Sequence, residues 1–198
     1  MPLFSLEIFD LMMHAIVACI TIELATVIYR SRNRILNAYR QISILLLFQD
    51  FLVLCLVMGT AYALLSYDSS QMSWSWLNYL GSSGSNVVTA GSNIKYFGII
   101  FCFLFLFALP GLARYEEMVF RLGTRSWKDG IPRSLGFGLA HMLMGVSLGV
   151  ALPLSIGGVF FTCQYFKGGV ERSTQAHFQY NLIAVSLLTI NSIVITFS

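Results

Sequence analysis

From residue 41 to residue 66 the chain carries one charged side chain, Asp50. A helix rises ~1.5 Å per residue and the hydrocarbon layer of a bilayer is ~30 Å thick, so this stretch is long enough to cross it. The pattern recurs. Residues 9–29 and 95–113 are comparable runs, and 134–198 is apolar but interrupted. With 57% hydrophobic and 11% charged residues and a mean hydropathy of +0.74, the chain has lipid as its main solvent. The expected fold is all-α, a polytopic transmembrane bundle with no soluble domain.

The interrupted region divides into "SLGFGLAHMLMGV" (134–146), "GVALPLSIGGVFFTCQYF" (149–166) and a final run over 176–197. That makes about six spans. The run 134–146 is short for a span of ~20 residues, so it is expected to tilt or to cross only in part. Glu7 and Asp10 precede the first run, while Arg30, Arg32 and Arg34 follow it. A secretory signal has the opposite polarity, so the first run reads as a retained span with its N-terminus outside. The cytoplasmic segments are then 30–40, 114–133 and 167–175. They hold eleven of the twelve basic residues, Lys95 being the exception, as the positive-inside rule requires.

Segment 68–94 falls outside in this arrangement. Trp74, Trp76 and Tyr79 suit a headgroup layer, and the Ser/Gly run after them reads as a flexible loop. Cys19, Cys55, Cys102 and Cys163 lie within apolar runs without CxxC spacing and are expected to be buried small hydrophobes. No basic stretch is long enough to suggest a nucleic-acid partner; the expected partners at this point are membrane lipids.

Ionisable groups within spans cost roughly 2.5–3.5 kcal/mol each near the centre, so they are candidates for function. Three short patterns hold most of them. In "EEMVFR" (116–121), Glu117 and Arg121 are one helical turn apart in the favoured ion-pair order, and Glu116 points about 100° away. One acid is thus neutralised while its neighbour is free for general-base work; a solvated interfacial turn is the plainer alternative. In "FGLAH" (137–141), Phe137 and His141 share a face, and Gly136, Gly138 and Gly145 admit a neighbouring backbone. A packed, hydrogen-bonded histidine is the alternative there. In "HFQYN" (177–181), His177 and Asn181 aim one way, as a site or as an interfacial cap.

All three patterns lie toward the same leaflet in the orientation set by the arginines. A carboxylate and an imidazole can hold and deprotonate a water, while a second imidazole and an amide can donate to an oxyanion. That set suits peptide hydrolysis. Glu116 stands at a helix end and His141 deeper, so either Pro110 bends the helix or a water-filled cleft reaches His141.

In this order, the patterns resemble the EExxxR, FxxxH and HxxxN/D signatures of the CPBP family, which comprises the type II CAAX prenyl proteases and the bacteriocin-processing or immunity (Abi) proteins. The resemblance covers residues 95–198; residues 1–94, two spans and an external loop, carry no matching motif. It implies a glutamate-dependent intramembrane endopeptidase opening toward the cytoplasm, with a peptide or lipidated protein as its substrate. By that likeness Glu116 and His141 activate water, His177 and Asn181 stabilise the oxyanion, and Glu117 with Arg121 supports the first motif. Leu122 stands before Gly123, where family members often have Gly directly after the Arg. The implied mechanism needs no cofactor. Zinc held by two histidines and a glutamate is the less favoured alternative, since the ligands would come from three helices and no HExxH occurs.

Two rival functions are a non-catalytic immunity or scaffold protein of the same fold and a small proton-coupled transporter. The latter would draw on Glu23 and Asp50, which lie at comparable depth. The plainer expectation is that these two bond to each other or to a neighbour and lock the first two helices together. His14 is expected near the outer interface.

Overall fold

The structure is a computed structural model and describes residues 6–80 and 97–197. The Ser/Gly run after Leu80 and Lys95 lie outside the described residues, as does the side chain of Tyr79. Everything described is helix or connection. Helix α1 spans Leu6–Arg40, α2 Ile44–Tyr67, α3 Ser69–Met72, α4 Phe97–Phe120, α5 Trp127–Ala140 and α6 Leu148–Phe197. Short 3-10 turns occupy Trp76–Leu80 and His141–Met144. Among the described residues, three helical stretches, His14–Arg40, Ile44–Tyr67 and Leu148–Asn191, are long and apolar enough to cross a membrane. Large apolar side chains such as Ile22, Leu45, Leu52, Leu56, Ile190 and Val194 face outward along them. In water that surface would be a heavy liability; in lipid it is the expected exterior. The chain is a membrane protein.

Helix α4 is apolar over 97–113 and runs unbroken through Pro110 into Arg114, Glu116 and Glu117. No bend at the proline is needed to bring these groups inward. Helix α5 begins earlier than hydropathy suggests, in the polar turn Trp127–Gly130, and ends at Ala140. Gly130, Ser134 and Gly138 form its buried stripe, the small-residue spacing that lets helices approach closely. The Ser134 hydroxyl lies 3.0 Å from that of Thr162 on α6. A Cβ on Gly138 would sit 2.5 Å from the Ala151 carbonyl oxygen and 2.6 Å from Ser155 N. Gly136 has no such role, its nearest neighbour being the Phe120 ring at 4.0 Å.

Helix α6 is a hairpin rather than one rod. Gly168 and Gly169 are non-helical, and Gly169 has φ 68° and ψ −164°, a conformation essentially reserved for glycine. The limbs 148–167 and 170–197 fold back on each other, so Phe161 packs on both His177 and Tyr180. The expected loop over 167–175 is thus a two-residue corner. Gly169→Ala is expected to cost roughly 1–3 kcal/mol, read as a lowered thermal midpoint in detergent.

The hairpin is the hub on which the other helices pack. Helices α2, α4 and α5 each lie along α6, and α1 lies along α4. The Tyr39 hydroxyl donates to Leu106 O at 2.9 Å, tying α1 to α4. Gln179 on α6 ties the α1–α2 turn, accepting from Ser43 N at 2.9 Å and donating to Ser43 O at 3.1 Å. At the far end, Trp76 Nε1 donates to Met142 O at 2.8 Å and Ser75 Oγ to Gly145 O at 2.7 Å. Trp76 therefore serves a structural bond as well as any interface.

This packing overturns two expectations. Glu23 and Asp50 do not lock the first two helices together, because Glu23 is exposed on α1 while Asp50 is fully buried in the stripe by which α2 meets α6. Helix α1 packs on α4 and α2 on α6, so the first two helices are not principal packing partners. Nor are all cysteines buried: Cys102 is, Cys163 is half-buried, and Cys19 and Cys55 face outward. A thiol is apolar enough for a lipid-facing position. His14 is exposed.

Candidate functional site

The three polar patterns meet to different degrees. At the centre is Glu117, whose side chain is 0% exposed. Its Oε1 lies 2.8 Å from Nδ1 of His177, itself 1% exposed. Its Oε2 accepts from the Ser173 hydroxyl, and Arg121 Nε stands 3.6 Å from the same oxygen. A carboxylate and a guanidinium, both fully buried, compensate each other's charge, and the imidazole and hydroxyl supply the hydrogen bonds a buried ion needs. The pair is therefore an interior feature, not a solvated interfacial turn.

Local structure explains the convergence. Glu117 and Arg121 are i, i+4 at the end of α4. Ser173 and His177 are i, i+4 on the second limb of α6, starting four residues past the glycine corner. The two turns face each other. Arg121 reaches on to the first limb and donates from Nη2 to Gly158 O at 3.0 Å. Its guanidinium carbon lies 4.5 Å from the centre of the Phe137 ring, a cation–π contact in dry surroundings. Phe161 stacks on the His177 ring with centroids 4.4 Å apart and planes at 17°. With one nitrogen bonded and one face stacked, the His177 ring has little freedom to turn.

Glu116 points elsewhere, as the helical offset requires. Its side chain is 30% exposed, and its Oε2 lies 3.6 Å from Nε2 of His177, close but beyond a hydrogen bond. It also lines a cleft of about 730 Å³ between α1 and α4, together with Glu23, Arg30, Arg34, Arg114 and Tyr115. Arg114 is paired with Glu171 at 2.5 Å. His177 thus stands between two successive glutamates: Glu117 holds Nδ1 from inside, and Glu116 faces Nε2 from the open side.

His141 is brought to the edge of this group. Its ring packs edge-on against Phe137 at 4.9 Å, and Phe137 packs edge-on against His177 at 5.3 Å. Phe137, the first residue of its motif, is the shared neighbour of both imidazoles. His141 Nδ1 lies 2.9 Å from Phe137 O. A carbonyl only accepts, so Nδ1 carries the hydrogen and Nε2 is the nitrogen left for other partners. Asn181 is half-buried one turn beyond His177 and makes no side-chain hydrogen bond to a described residue. Among the described residues no three His, Cys, Asp or Glu side chains are arranged to hold a metal ion.

Sequence reasoning missed Ser173, Phe161 and the carbonyl of Gly158. Ser173 had a legible signal, since it precedes His177 by one helical turn. Phe161 and Gly158 had none, because their roles depend on α6 folding back. Family models, curated proteins and solved structures return no match to this chain.

Proposed function

We propose that this chain is an intramembrane endopeptidase of the CPBP type, hydrolysing a peptide bond of a membrane-associated or membrane-proximal substrate. In this reading it crosses the bilayer about six times with its N-terminus outside, and its site opens toward the cytoplasmic side. The observation that carries the reading is His177 held between Glu117 at 2.8 Å and Glu116 at 3.6 Å, with Glu116 open to a cleft. The resemblance assigns the roles. Water attacks the scissile carbonyl carbon and gives a proton to Glu116, assisted by His141 through Nε2. The C–N bond breaks, the proton passes to the leaving amine, and a carboxyl product is left. His177 Nε2 and the Asn181 amide face the developing oxyanion. For Nε2 to donate there, the His177 ring must carry both hydrogens while seated between the two carboxylates.

One observation favours a second reading, a non-catalytic peptide-binding protein of the same design. Glu117 is fully occupied, and the Phe137 ring packs between the two imidazoles. A single experiment separates the two. Purified protein in lipid vesicles is offered transmembrane and lipidated peptides, and products are followed by mass spectrometry. The peptidase reading expects cleavage by the native chain and its loss in His141→Ala. Peptide binding without product by the native chain would transfer the assignment to the scaffold reading.

A further inference from the structure

Asp50 plays no part in the site above, yet its surroundings suit a carboxylate poorly. It is fully buried in the α2 stripe Leu46, Asp50, Leu54, Val57 and Ala61. Neither of its carboxylate oxygens has a partner at full hydrogen-bond geometry, although the Gln179 amide approaches it. It makes no ion pair among the described residues. Two polar groups face it, both from the second limb of α6: the amide of Gln179 and the phenol of Tyr180. The Tyr180 hydroxyl is buried and unpartnered as well. Gln179 has one amide hydrogen committed to Ser43 O, and its oxygen accepts from Ser43 N and Gln175, which leaves one N–H over. Around them are Leu46, Leu54, Phe137, Phe161 and Ala176.

A lone carboxylate in such surroundings is not tolerable as it stands. Three buried unpartnered oxygens, two from Asp50 and one from Tyr180, lie where α2 packs on α6, and the Asp50 charge acts on the Tyr180 phenol. All are hard donors, and one carboxylate balances one unit of charge. A divalent ion would leave an excess positive charge in the core, and an anion would double the negative one. We propose that Asp50 and Tyr180, with Gln179 beside them, form a binding site for a single unit of positive charge, supplied as a sodium-sized cation or as a proton, which locks α2 onto α6. Helix α2 has α6 as its principal packing partner, so this site governs whether α2 stays seated. The proposal does not depend on peptide cleavage.

The test is thermal unfolding of the full chain in detergent, with sodium exchanged for choline at constant ionic strength and, separately, with pH varied at constant sodium. Tyr180 is the one titratable side chain that faces Asp50 from α6. Asp50→Asn and Tyr180→Phe are compared with the native chain. If the site takes sodium, the native chain gains stability with sodium, up to about tenfold in the unfolding equilibrium per tenfold in concentration. Both variants then lose that response. If it takes a proton, stability falls by up to about tenfold per pH unit as pH rises above ~4, where an aspartate in the unfolded chain loses its proton, for as long as the folded chain keeps its own. Asp50→Asn abolishes that slope and Tyr180→Phe keeps it. A native chain indifferent to both ions overturns the proposal even if Asp50→Asn fails to fold. So does an Asp50→Asn variant that folds and responds like the native chain.

Discussion

If the chain is the proposed peptidase, Glu116→Ala is expected to abolish peptide cleavage and to leave the bundle folded. The expected loss is ~10²–10⁴-fold, the range for a positioned general base. The structural part of the expectation follows from geometry. Glu116 is 30% exposed and its nearest ionic partner, His177 Nε2, is 3.6 Å away. No buried donor is orphaned by its removal, so unfolding should shift by less than about 0.5–1 kcal/mol. Turnover on a membrane peptide and the thermal midpoint, measured on one preparation, check both halves. Full activity in Glu116→Ala would remove the catalytic role assigned to this residue.

The adjacent glutamate behaves in the opposite way. Glu117→Ala strips His177 Nδ1 and Ser173 of their acceptor and leaves Arg121 fully buried without its carboxylate. Breaking a buried pair by removing one partner costs ~3–5 kcal/mol. The thermal midpoint in detergent should drop steeply or the folded protein should be lost. The double variant Glu117→Leu with Arg121→Met should recover part of that loss, because apolar replacement of both partners leaves no charge stranded. It should nonetheless be inactive, since His177 has lost the group that orients it. A Glu117→Ala protein as stable as the native chain would mean that Arg121 finds another anion.

Much of this contrast was legible from one turn of helix. The i, i+4 spacing marks Glu117 and Arg121 as the pair and leaves Glu116 outside it. What spacing could not supply is burial: a charged turn at the end of an apolar run looks like an exit from lipid. It is interior here because α6 doubles back over it. The Glu117–His177 bond likewise joins residues sixty positions apart, beyond any local pattern. Ser173, one turn ahead of His177, was within reach.

Hydropathy found the helices better than their ends. The apolar run 41–66 became Ile44–Tyr67 almost unchanged, with Ser43 as its N-cap. The run 9–29 grew to Leu6–Arg40, because arginine and asparagine end a lipid-compatible stretch without ending a helix. The run 134–146 was displaced to Trp127–Ala140, since α5 opens with a polar turn. The expected link between Glu23 and Asp50 failed because it assumed that the first two helices pack on each other. Helix α2 packs on α6 and α1 on α4.

The glycine corner has a mechanical consequence. Measured along the second limb, His177 lies about 12 Å from Gly169, whereas the far end of that limb lies about 40 Å away. A tilt of ~10° about this pivot displaces the imidazole by about 2 Å and the distal tip by about 7 Å. The working end of the lever is the steady one. Thickness changes or neighbours that push on the tip reach the site attenuated, so a sequence that sets its buried Glu117–His177 pair beside the fulcrum leaves the rest of the rod free to follow the bilayer.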